Sequence, residues 1–285
     1  MEVEPTIPGH TDVGGDAPGE ASPERCLSLT ISGPWGHFRR IDGNTVKATY
    51  RLPPRTTVAG LLAAVAGYER DGYYGVFDRK RSGIAIQPIA RNGAESETAP
   101  IPRTMSLPEN SLTTSNEGMK AVNARGKVSV QYPNPDTDRQ RVNYEVLVDP
   151  AYRVDVWLAD ETAYDRLHDR LSSGRSEYIP SLGLSEFLAS ITFHGEFAPT
   201  SVVEGDGPIA IESALPAPDG IVPSVEHPHG TERSPGDMTR TERPGEFAGR
   251  KTTEFLRWAY SHDGTPLRAT GIEASRVDGR TVVFA

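Results

Sequence analysis

The sequence has 285 residues, with 36% hydrophobic residues, 28 glycines, 24 prolines and a formal net charge of −9. Its length allows one large domain or a medium domain with a smaller partner, and its acidity argues against a generally basic nucleic-acid binder. The longest apolar run, Val58–Gly67, is too short to cross a membrane, and the single cysteine, Cys26, excludes an intramolecular disulfide and a multi-cysteine metal site. The acidic, polar N-terminus lacks the pattern of a signal peptide, so we expect a cytoplasmic protein.

The first quarter of the chain contains a polar arm, a strand and a helix. Residues 1–24 lack hydrophobic periodicity, which predicts a disordered arm. Apolar residues alternate with polar ones in Cys26–Ser32, which predicts a half-buried strand. After a loop that ends in two prolines, a helix is predicted over Val58–Tyr68, capped by Thr56 or Thr57. The helix residues expected to face the core are Leu61, Leu62 and Val65.

The middle of the chain predicts a strand, an insertion, a hairpin and a second helix. Gly83–Ala90 has the composition of a strand, and residues 92–140 are polar and too long for an ordinary loop, which indicates a functional insertion. Two alternating runs on either side of Asp149–Pro150 predict a hairpin. Glu161–Leu171 has the spacing of an amphipathic helix, with Tyr164, Leu167, His168 and Leu171 on its apolar face.

The order of these elements is close to a ferredoxin-like pattern. The segment 178–189 predicts a proline–glycine turn and a short helix, and a strand follows around Ile191–Phe197. Strand, helix, strand, hairpin, helix, strand is the β-α-β-β-α-β order of an α+β ferredoxin-like domain, which we place at residues 25–200. Residues 201–285 are expected to form a linker over Glu204–Arg250 and a small β-rich appendage with strands near residues 253–260 and 281–285.

The common enzyme motifs are absent from the sequence. It contains no P-loop, no G-x-G-x-x-G, no G-x-S-x-G and no H-E-x-x-H. His227 and His229 are two residues apart but have no obvious further ligands nearby, so we interpret them as part of a solvated loop rather than a metal site. We therefore expect no metal and no cofactor.

The loop Gly33–Arg55 is the most informative segment for function. It mixes aromatic residues with cations, the two groups that hold RNA by stacking on unpaired bases and by neutralising phosphates. In the alternative interpretation, the aromatic residues are core anchors and the arginines pair with local acids. The residues on which the RNA-binding hypothesis depends are Trp35, His37, Phe38, Arg39, Arg40, Lys47, Arg51 and Arg55.

His37 has a second interpretation as a general base. Its usual pKa is near neutrality, and metal-free RNA cleavage needs a base at the 2′-hydroxyl and a group that assists the leaving oxygen. His37, Lys47 and Tyr50 are residues of suitable types, although nothing in their spacing demands catalysis. A structural hydrogen bond is the alternative role for His37.

Two blocks of the sequence resemble a known family. Gly33–Arg39 (GPWGHFR) followed by YRLPPRTTVAGLL at residues 50–62 resembles the N-terminal signature of the CRISPR-associated family five proteins, subunits of type I Cascade complexes within the RAMP superfamily. YIPSLGLSEFLA at residues 178–189 resembles a second block of that family, about 120 residues downstream. The pattern is most similar to the archaeal subtype B branch and covers about residues 26–197.

The resemblance implies an RRM-type ferredoxin-like core with an inserted thumb. It also implies a subunit that binds and caps the 5′ handle of crRNA and contacts the Cascade backbone subunit and large subunit, with no membrane and no small-molecule substrate. The thumb would be the insertion at 92–140, whose expected RNA-binding cations are Lys120, Arg125 and Lys127.

One branch of the family is itself an endoribonuclease that processes repeat RNA with a tyrosine, a lysine and a histidine. The insertion has no lysine–histidine pair, since Ala121 follows Lys120 and Val128 follows Lys127. We therefore expect a non-catalytic protein. A metal-independent endoribonuclease and a protein-only structural adaptor remain the alternatives.

Overall fold

The computed structural model describes residues 23–40, 46–90, 102–110, 139–203, 207–241, 249–262 and 264–285. Within these residues lie two α-helices, α1 (Arg55–Ala66) and α2 (Glu161–Ser172), and a 3-10 turn at Pro218–Gly220. The strands in chain order are β1 (Cys26–Ser32), β2 (Trp35–Gly36), β3 (Phe38–Arg39), β4 (Val46–Lys47), β5 (Thr49–Tyr50), β6 (Ser82–Pro88), β7 (Pro102–Asn110), β8 (Arg139–Val148), β9 (Ala151–Leu158), β10 (Ser190–Phe197), β11 (Thr200–Val202), β12 (Ile209–Ile211), β13 (Leu215–Pro216), β14 (His229–Thr241), β15 (Gly249–Ser261), β16 (Leu267–Ala269), β17 (Ala274–Val277) and β18 (Arg280–Val282).

A four-stranded antiparallel sheet with the order β10-β1-β9-β6 forms the core of the fold. Along the chain, α1 follows the first of these strands and α2 follows the third. Because β1 and β6 are both antiparallel to β9, which lies between them, they run parallel to each other, as in the split βαβ units of the ferredoxin-like fold. The predicted α+β ferredoxin-like class is confirmed.

Strand β1 shows how the sequence forms this sheet. Leu27, Leu29 and Ile31 are buried in the same hydrophobic cluster as the two helices. Successive side chains of a strand point to opposite faces, so Cys26 and Ser28 lie on the other side of the sheet. Full burial of one leucine stabilises the fold by roughly 1.5–3 kcal/mol, and this alternation therefore fixes the register of β1.

Helix α2 is amphipathic, as its sequence predicts. Tyr164, Leu167 and Leu171 are buried, and the Asp160 carboxylate caps the helix by accepting the Ala163 N–H at 2.9 Å. An aspartate at the N-cap satisfies one of the free N–H groups of the first turn. In the described part of the chain, neither helix is long and apolar enough to cross a membrane.

The second face of the core sheet is covered by the C-terminal residues. Val277, Val282 and Phe284 pack against Cys26 and Trp157. Burial raises the pKa of the Cys26 thiol to about 12, so this cysteine stays protonated at neutral pH. The C-terminal strands are therefore part of the main fold.

The insertion contains a two-stranded ribbon. β7 and β8 pair in an antiparallel ladder from Pro102 opposite Leu147 to Asn110 opposite Arg139. The ribbon lies between β6 and β9 in the chain: β7 falls within the insertion predicted at 92–140, whereas β8 lies almost entirely beyond it. Lys120, Arg125 and Lys127 lie outside the described residues, as do residues 1–22 of the predicted N-terminal arm.

The hairpin predicted around Asp149–Pro150 is wrong. Both strands exist, but β8 pairs with β7, β2 and β4, whereas β9 pairs with β1 and β6. A type I′ hairpin turn needs positive φ at both central residues, and the proline ring holds φ near −65°. Asp149 does have a φ of 49°, and the chain passes from one sheet to another at this point.

Two smaller predictions about helices also differ from the structure. Helix α1 begins at Arg55 rather than Val58, and its N-cap is Pro54, with no side-chain cap from Thr56 or Thr57. The Pro54 carbonyl accepts the N–H groups of residues 57 and 58, so both threonines already lie in the first turn. The short helix expected within 178–189 is a closed loop instead, because Leu182 donates its N–H to the Phe187 carbonyl at 2.7 Å.

The C-terminal third is richer in structure than the predicted linker and appendage. Strands β12, β13 and β14 lie within the segment Glu204–Arg250 that was expected to be a linker. Trp258 and Tyr260 of β15 are buried in the same cluster as the core sheet and helices. The β-rich character matches the expectation, and Ile211 and Leu215 of this segment are buried in a second hydrophobic cluster with Leu267, Ala269 and other C-terminal residues.

Candidate nucleic-acid interface

The loop after β1 is supported by strand β8 of the inserted ribbon. β2 pairs with the C-terminal end of β8, where Trp35 lies opposite Val148. β4 pairs with the middle of β8, where Lys47 lies opposite Tyr144. Because the loop bonds to this strand at two places, its described residues form a small sheet with a defined geometry.

The two sequence blocks that carry the family resemblance contact each other. His37 donates its backbone N–H to the carbonyl of Leu182 at 3.0 Å. Gly183 has a φ of +95°, and a Cβ at this position would overlap the carbonyl oxygen of His37. A Cβ on Gly33 would lie 2.8 Å from the carbonyl oxygen of Leu188. Only glycine allows this close approach, and segment 178–189 thereby braces the loop.

His37 is an interior residue and not an exposed base. It is 1% exposed, and its Nδ1 lies 2.7 Å from the backbone carbonyl oxygen of Glu145, to which it donates. Its Nε2 is buried without a hydrogen-bond partner among the described residues. Burial lowers the pKa of His37, and the nearby charge of Arg39 acts in the same direction. The imidazole is therefore neutral at pH 7 and holds the loop to β8, which is the structural role left open by the sequence.

Phe38 is also a core residue, which corrects its assignment as an RNA-stacking side chain. It is buried, and its ring meets the ring of Tyr152 edge-on at a centroid distance of 6.0 Å. A base cannot stack on a ring that is covered by the protein. The alternative interpretation, in which Phe38 is a core anchor, is the one that the structure supports.

Arg55 is also buried, which corrects its assignment as an RNA-binding residue. It is 1% exposed, and its five N–H groups all point at acceptors of the protein. These acceptors are the carbonyl oxygens of Ala285 at 2.6 Å, Phe77 at 2.8 Å, Ser82 at 3.0 Å and Gly236 at 3.4 Å, and the Ser82 hydroxyl at 2.7 Å. Burial lowers its pKa from 12.5 to about 10, so Arg55 remains charged at pH 7 and joins distant parts of the chain.

Apart from Arg51, four of the predicted loop residues reach the surface. Arg39 and Arg40 are exposed, Lys47 is half-buried, and Trp35 is 37% exposed. The Lys47 ammonium donates to the Tyr144 hydroxyl at 2.9 Å, and the Arg40 guanidinium lies 5.8 Å from the centre of the Tyr50 ring. Among the described residues, no carboxylate forms an ion pair with Arg39. The described surface of the loop therefore includes three cations and an accessible indole ring.

The C-terminal end of the loop is anchored by a residue that sequence reasoning missed. The Glu232 carboxylate on β14 accepts the backbone N–H of Arg51 at 2.9 Å and that of Leu52 at 3.1 Å. The Tyr152 hydroxyl donates to the Arg51 carbonyl at 2.5 Å. Burial raises the pKa of Glu232, and the two backbone donors oppose this shift. Arg51 is thus held by its backbone, and its side chain is partly exposed.

Tyr144 and Glu145 on β8 also belong to the site. Glu145 accepts the Thr49 N–H at 3.0 Å through its carboxylate and the His37 ring through its carbonyl. The alternating run that predicted β8 contains both residues, but no local signal shows which strand faces the loop. Glu232 lies about 180 residues from its partners in the sequence, so no local pattern links them.

The described residues offer no obvious metal site. No group of three or more histidine, cysteine, aspartate or glutamate side chains in these ranges is arranged to hold an ion. The Nδ1 of His227 lies 3.2 Å from the hydroxyl of Thr265. His227 lies in the loop before β14, as interpreted from the sequence, whereas His229 is the first residue of β14.

Comparisons with known proteins give a family match. A sequence model of the family described as CRISPR-associated protein (Cas_Cas5) matches residues 26–258. Among curated proteins, no match to this chain is found. A chain of a solved CRISPR RNA-guided surveillance complex has 15% identity and a TM-score of 0.45, over 86% of this chain and 92% of that chain. A CRISPR protein from Archaeoglobus fulgidus has 14% identity and a TM-score of 0.42, over 90% of this chain and 97% of that chain. Both scores are too low to carry an inference, so the family assignment depends on the sequence match.

Proposed function

The chain belongs to the CRISPR-associated protein (Cas_Cas5) family, and from this membership we propose that it is a non-catalytic subunit of a type I Cascade complex. In this role it binds and caps the 5′ handle of crRNA, in the cytoplasm, as part of antiviral defence. The observation that carries the proposal is the exposed pair Arg39–Arg40, with the accessible Trp35 on the same braced loop. Cations of this kind neutralise phosphates, and the indole ring stacks on an unpaired base.

The net charge of −9 is compatible with RNA binding at this loop. A phosphate responds to the local field, which Arg39, Arg40 and Lys47 set here. A bidentate guanidinium–phosphate pair is stronger than a neutral hydrogen bond, and an aromatic stack contributes about 1–3 kcal/mol by alanine substitution. The loop therefore has the groups that a handle-binding surface needs.

The proposed protein partners are the Cascade backbone subunit and the large subunit. The segment 178–189, which contacts the loop, exposes three large apolar residues: Tyr178, Ile179 and Leu188. Contiguous exposed apolar surface is typical of protein–protein contact sites. We infer that a partner subunit covers this segment in the complex, close to the bound handle.

The experiment that tests the proposal compares crRNA occupancy in the assembled complex. The chain carrying Arg39→Ala and Arg40→Ala is co-expressed with its partner subunits and crRNA, and the bound RNA is quantified. We expect occupancy to fall about tenfold or more, with an unchanged melting temperature because both side chains are exposed. The matched control is Lys80→Ala with Arg175→Ala, which removes two exposed charges elsewhere. Equal occupancy in the double variant and wild type would remove the basis of the proposal.

A specific cluster favours the endoribonuclease as the second candidate function. His37, Lys47 and Tyr144 lie together, with the His37 and Tyr144 ring centroids 5.1 Å apart and Lys47 bonded to the tyrosine hydroxyl. These are residue types that cleave RNA without metal. However, His37 and Tyr144 are buried, so a substrate has no access to them without movement of the loop.

Incubation of the purified chain with repeat RNA in EDTA distinguishes the endoribonuclease from the non-catalytic binding subunit. Discrete products that disappear in Tyr144→Phe would establish the nuclease, whereas intact RNA supports the binding subunit. The protein-only adaptor is tested by ultraviolet crosslinking of the complex, since a handle-binding loop requires crosslinks at or near Trp35.

A further inference from the structure

The hairpin of β14 and β15 places the carboxylates of its described strand residues on one face. Its carboxylates are turned toward the protein: Glu232 accepts backbone N–H groups of the loop, Glu254 pairs with Arg79, and Asp237 lies near Arg55. The buried residues Ser234, Leu256 and Trp258 share this inner face, which packs on α1. The acidic side chains named here therefore interact with other parts of the protein.

The outer face of the hairpin carries cations and one aromatic ring. On β15, Lys251, Thr253, Phe255 and Arg257 occur at alternate positions, and all four are exposed. On β14, Arg233 and Thr239 are exposed on the same face, opposite Arg257 and Lys251. Among the described strand residues of this outer face there is no carboxylate. In a chain with a net charge of −9, this separation of charge is a local feature.

The two arginines of the outer face lie directly opposite each other. Arg233 and Arg257 are register partners in the antiparallel pair, which places their Cβ atoms about 5 Å apart, and like charges at such positions destabilise a sheet. The Arg257 guanidinium forms a 2.5 Å ion pair with Asp219, in which both side chains are largely exposed. Exposed pairs of this kind contribute little and are readily exchanged for another anion. The arginine pair therefore has the properties of an anion-binding site.

Phe255 adds a stacking surface between these cations. It is 41% exposed, and the Arg233 guanidinium lies over its ring at 4.6 Å from the centroid. Lys251 and Arg257 lie on either side of it along the same strand, about 20 Å apart at ~3.3 Å per residue. An exposed ring flanked by cations is the arrangement that binds single-stranded nucleic acid, with a base on the ring and phosphates at the cations.

The geometry points to a second nucleic-acid site on this outer face, formed by Arg233, Lys251, Phe255 and Arg257, that takes single-stranded RNA or DNA without reading its sequence. An acidic protein surface fits the cations but gives no role to an exposed phenylalanine held beneath an arginine. The site is distinct from the handle-binding loop, which contacts the inner face of the same hairpin through Glu232. The inference does not depend on the proposed function.

The test uses the full chain and a short fluorescein-labelled single strand of mixed sequence without a repeat handle, as RNA and as DNA. Binding is measured by anisotropy over a series of salt concentrations. We expect Phe255→Leu to weaken binding about tenfold. We expect Arg233→Ala with Arg257→Ala to weaken it at least as much and to reduce the slope of log K against log salt by about 1.4, at ~0.7 per lost phosphate contact. RNA and DNA are expected to respond alike, because neither contact involves the 2′-hydroxyl.

Two further variants make the result decisive. Lys80→Ala with Arg175→Ala removes the same charge from other exposed positions and is expected to bind like wild type. To remove any strand binding by the loop, the hairpin substitutions are also measured in a chain that carries Arg39→Ala and Arg40→Ala, where they are expected to weaken binding by the same factors, so the two proposals succeed or fail separately. Wild-type affinity in both hairpin variants would overturn the inference. Loss of a co-purifying protein from those variants, with unchanged strand binding, would overturn it in favour of a protein contact.

Discussion

Replacement of Arg55 by lysine tests whether this residue stabilises the fold or binds RNA. The arginine donates five hydrogen bonds to acceptors on four residues, which lie in three separate segments of the chain. A lysine ammonium keeps the charge but has three donors, so at least two acceptors lose their partners. At roughly 1–1.5 kcal/mol for each lost bond, Arg55→Lys is expected to lower the stability by about 2–3 kcal/mol. For a chain of this length that corresponds to a melting temperature lower by about 3–5 °C.

The assay is thermal unfolding followed by tryptophan fluorescence, because Trp258 is buried in the cluster that Arg55 adjoins. Arg39→Lys is the matched control, since the same substitution at an exposed arginine removes no buried bond and is expected to leave the melting temperature unchanged. RNA binding by folded Arg55→Lys is expected to equal that of wild type. A variant that melts like wild type but fails to bind crRNA would refute this reasoning and restore Arg55 to the RNA-binding surface.

Three further predictions concern the support of the loop. Glu232→Gln removes the carboxylate that accepts two backbone N–H groups, so amide exchange at Arg51 and Leu52 is expected to accelerate about tenfold, and unchanged exchange would contradict the anchoring role. Gly183→Ala is expected to destabilise the protein by ~3 kcal/mol or more, because its Cβ would overlap the His37 carbonyl. The control is Gly174→Ala, which has a positive φ but no close neighbour and is expected to cost only about 1 kcal/mol. Similar melting temperatures of the two variants would show that the contact between segment 178–189 and the loop does not stabilise the protein. Burial lowers the pKa of His37 in the folded protein, so the unfolded chain takes up a proton at this residue first. As the pH falls below about 6.5, the free energy of unfolding therefore decreases by up to ~1.4 kcal/mol per pH unit, until His37 is protonated in the folded protein as well. His37→Asn keeps a donor for the Glu145 carbonyl without titrating, so its melting temperature is expected to fall less than that of wild type between pH 7.5 and 5.5, and parallel pH profiles would count against the buried neutral histidine.

The elements of the core are predictable from the sequence because their signals are local. The alternation in β1 and the helical spacing of α2 arise within single elements, and each predicts which side chains are buried. Burial of Leu27 and Leu29 and of Tyr164 and Leu167 confirms this. The predicted fold class followed from the order of these elements, and the insertion was located by its polar composition.

Predictions that depended on partners were less successful. The two strands beside Asp149–Pro150 were identified, but their pairing was not, since it depends on β7 and β1 at other places in the chain. The same reason explains the missed Glu232, whose carboxylate has no sequence feature that links it to Arg51. The charge segregation on the outer face of β14 and β15 also becomes visible only when the two strands are paired.

The sequence by itself determined the ferredoxin-like order of strands and helices, the family resemblance and the concentration of aromatic and basic residues in one loop. Only the tertiary structure decided which of those residues face solvent. Arg39 and Arg55 have the same side chain and lie in the same loop region, yet one is exposed and the other is enclosed by carbonyl groups that include one 230 residues away. Secondary structure follows from periodicity over a few residues, whereas burial of a charge depends on acceptors that distant segments bring to it.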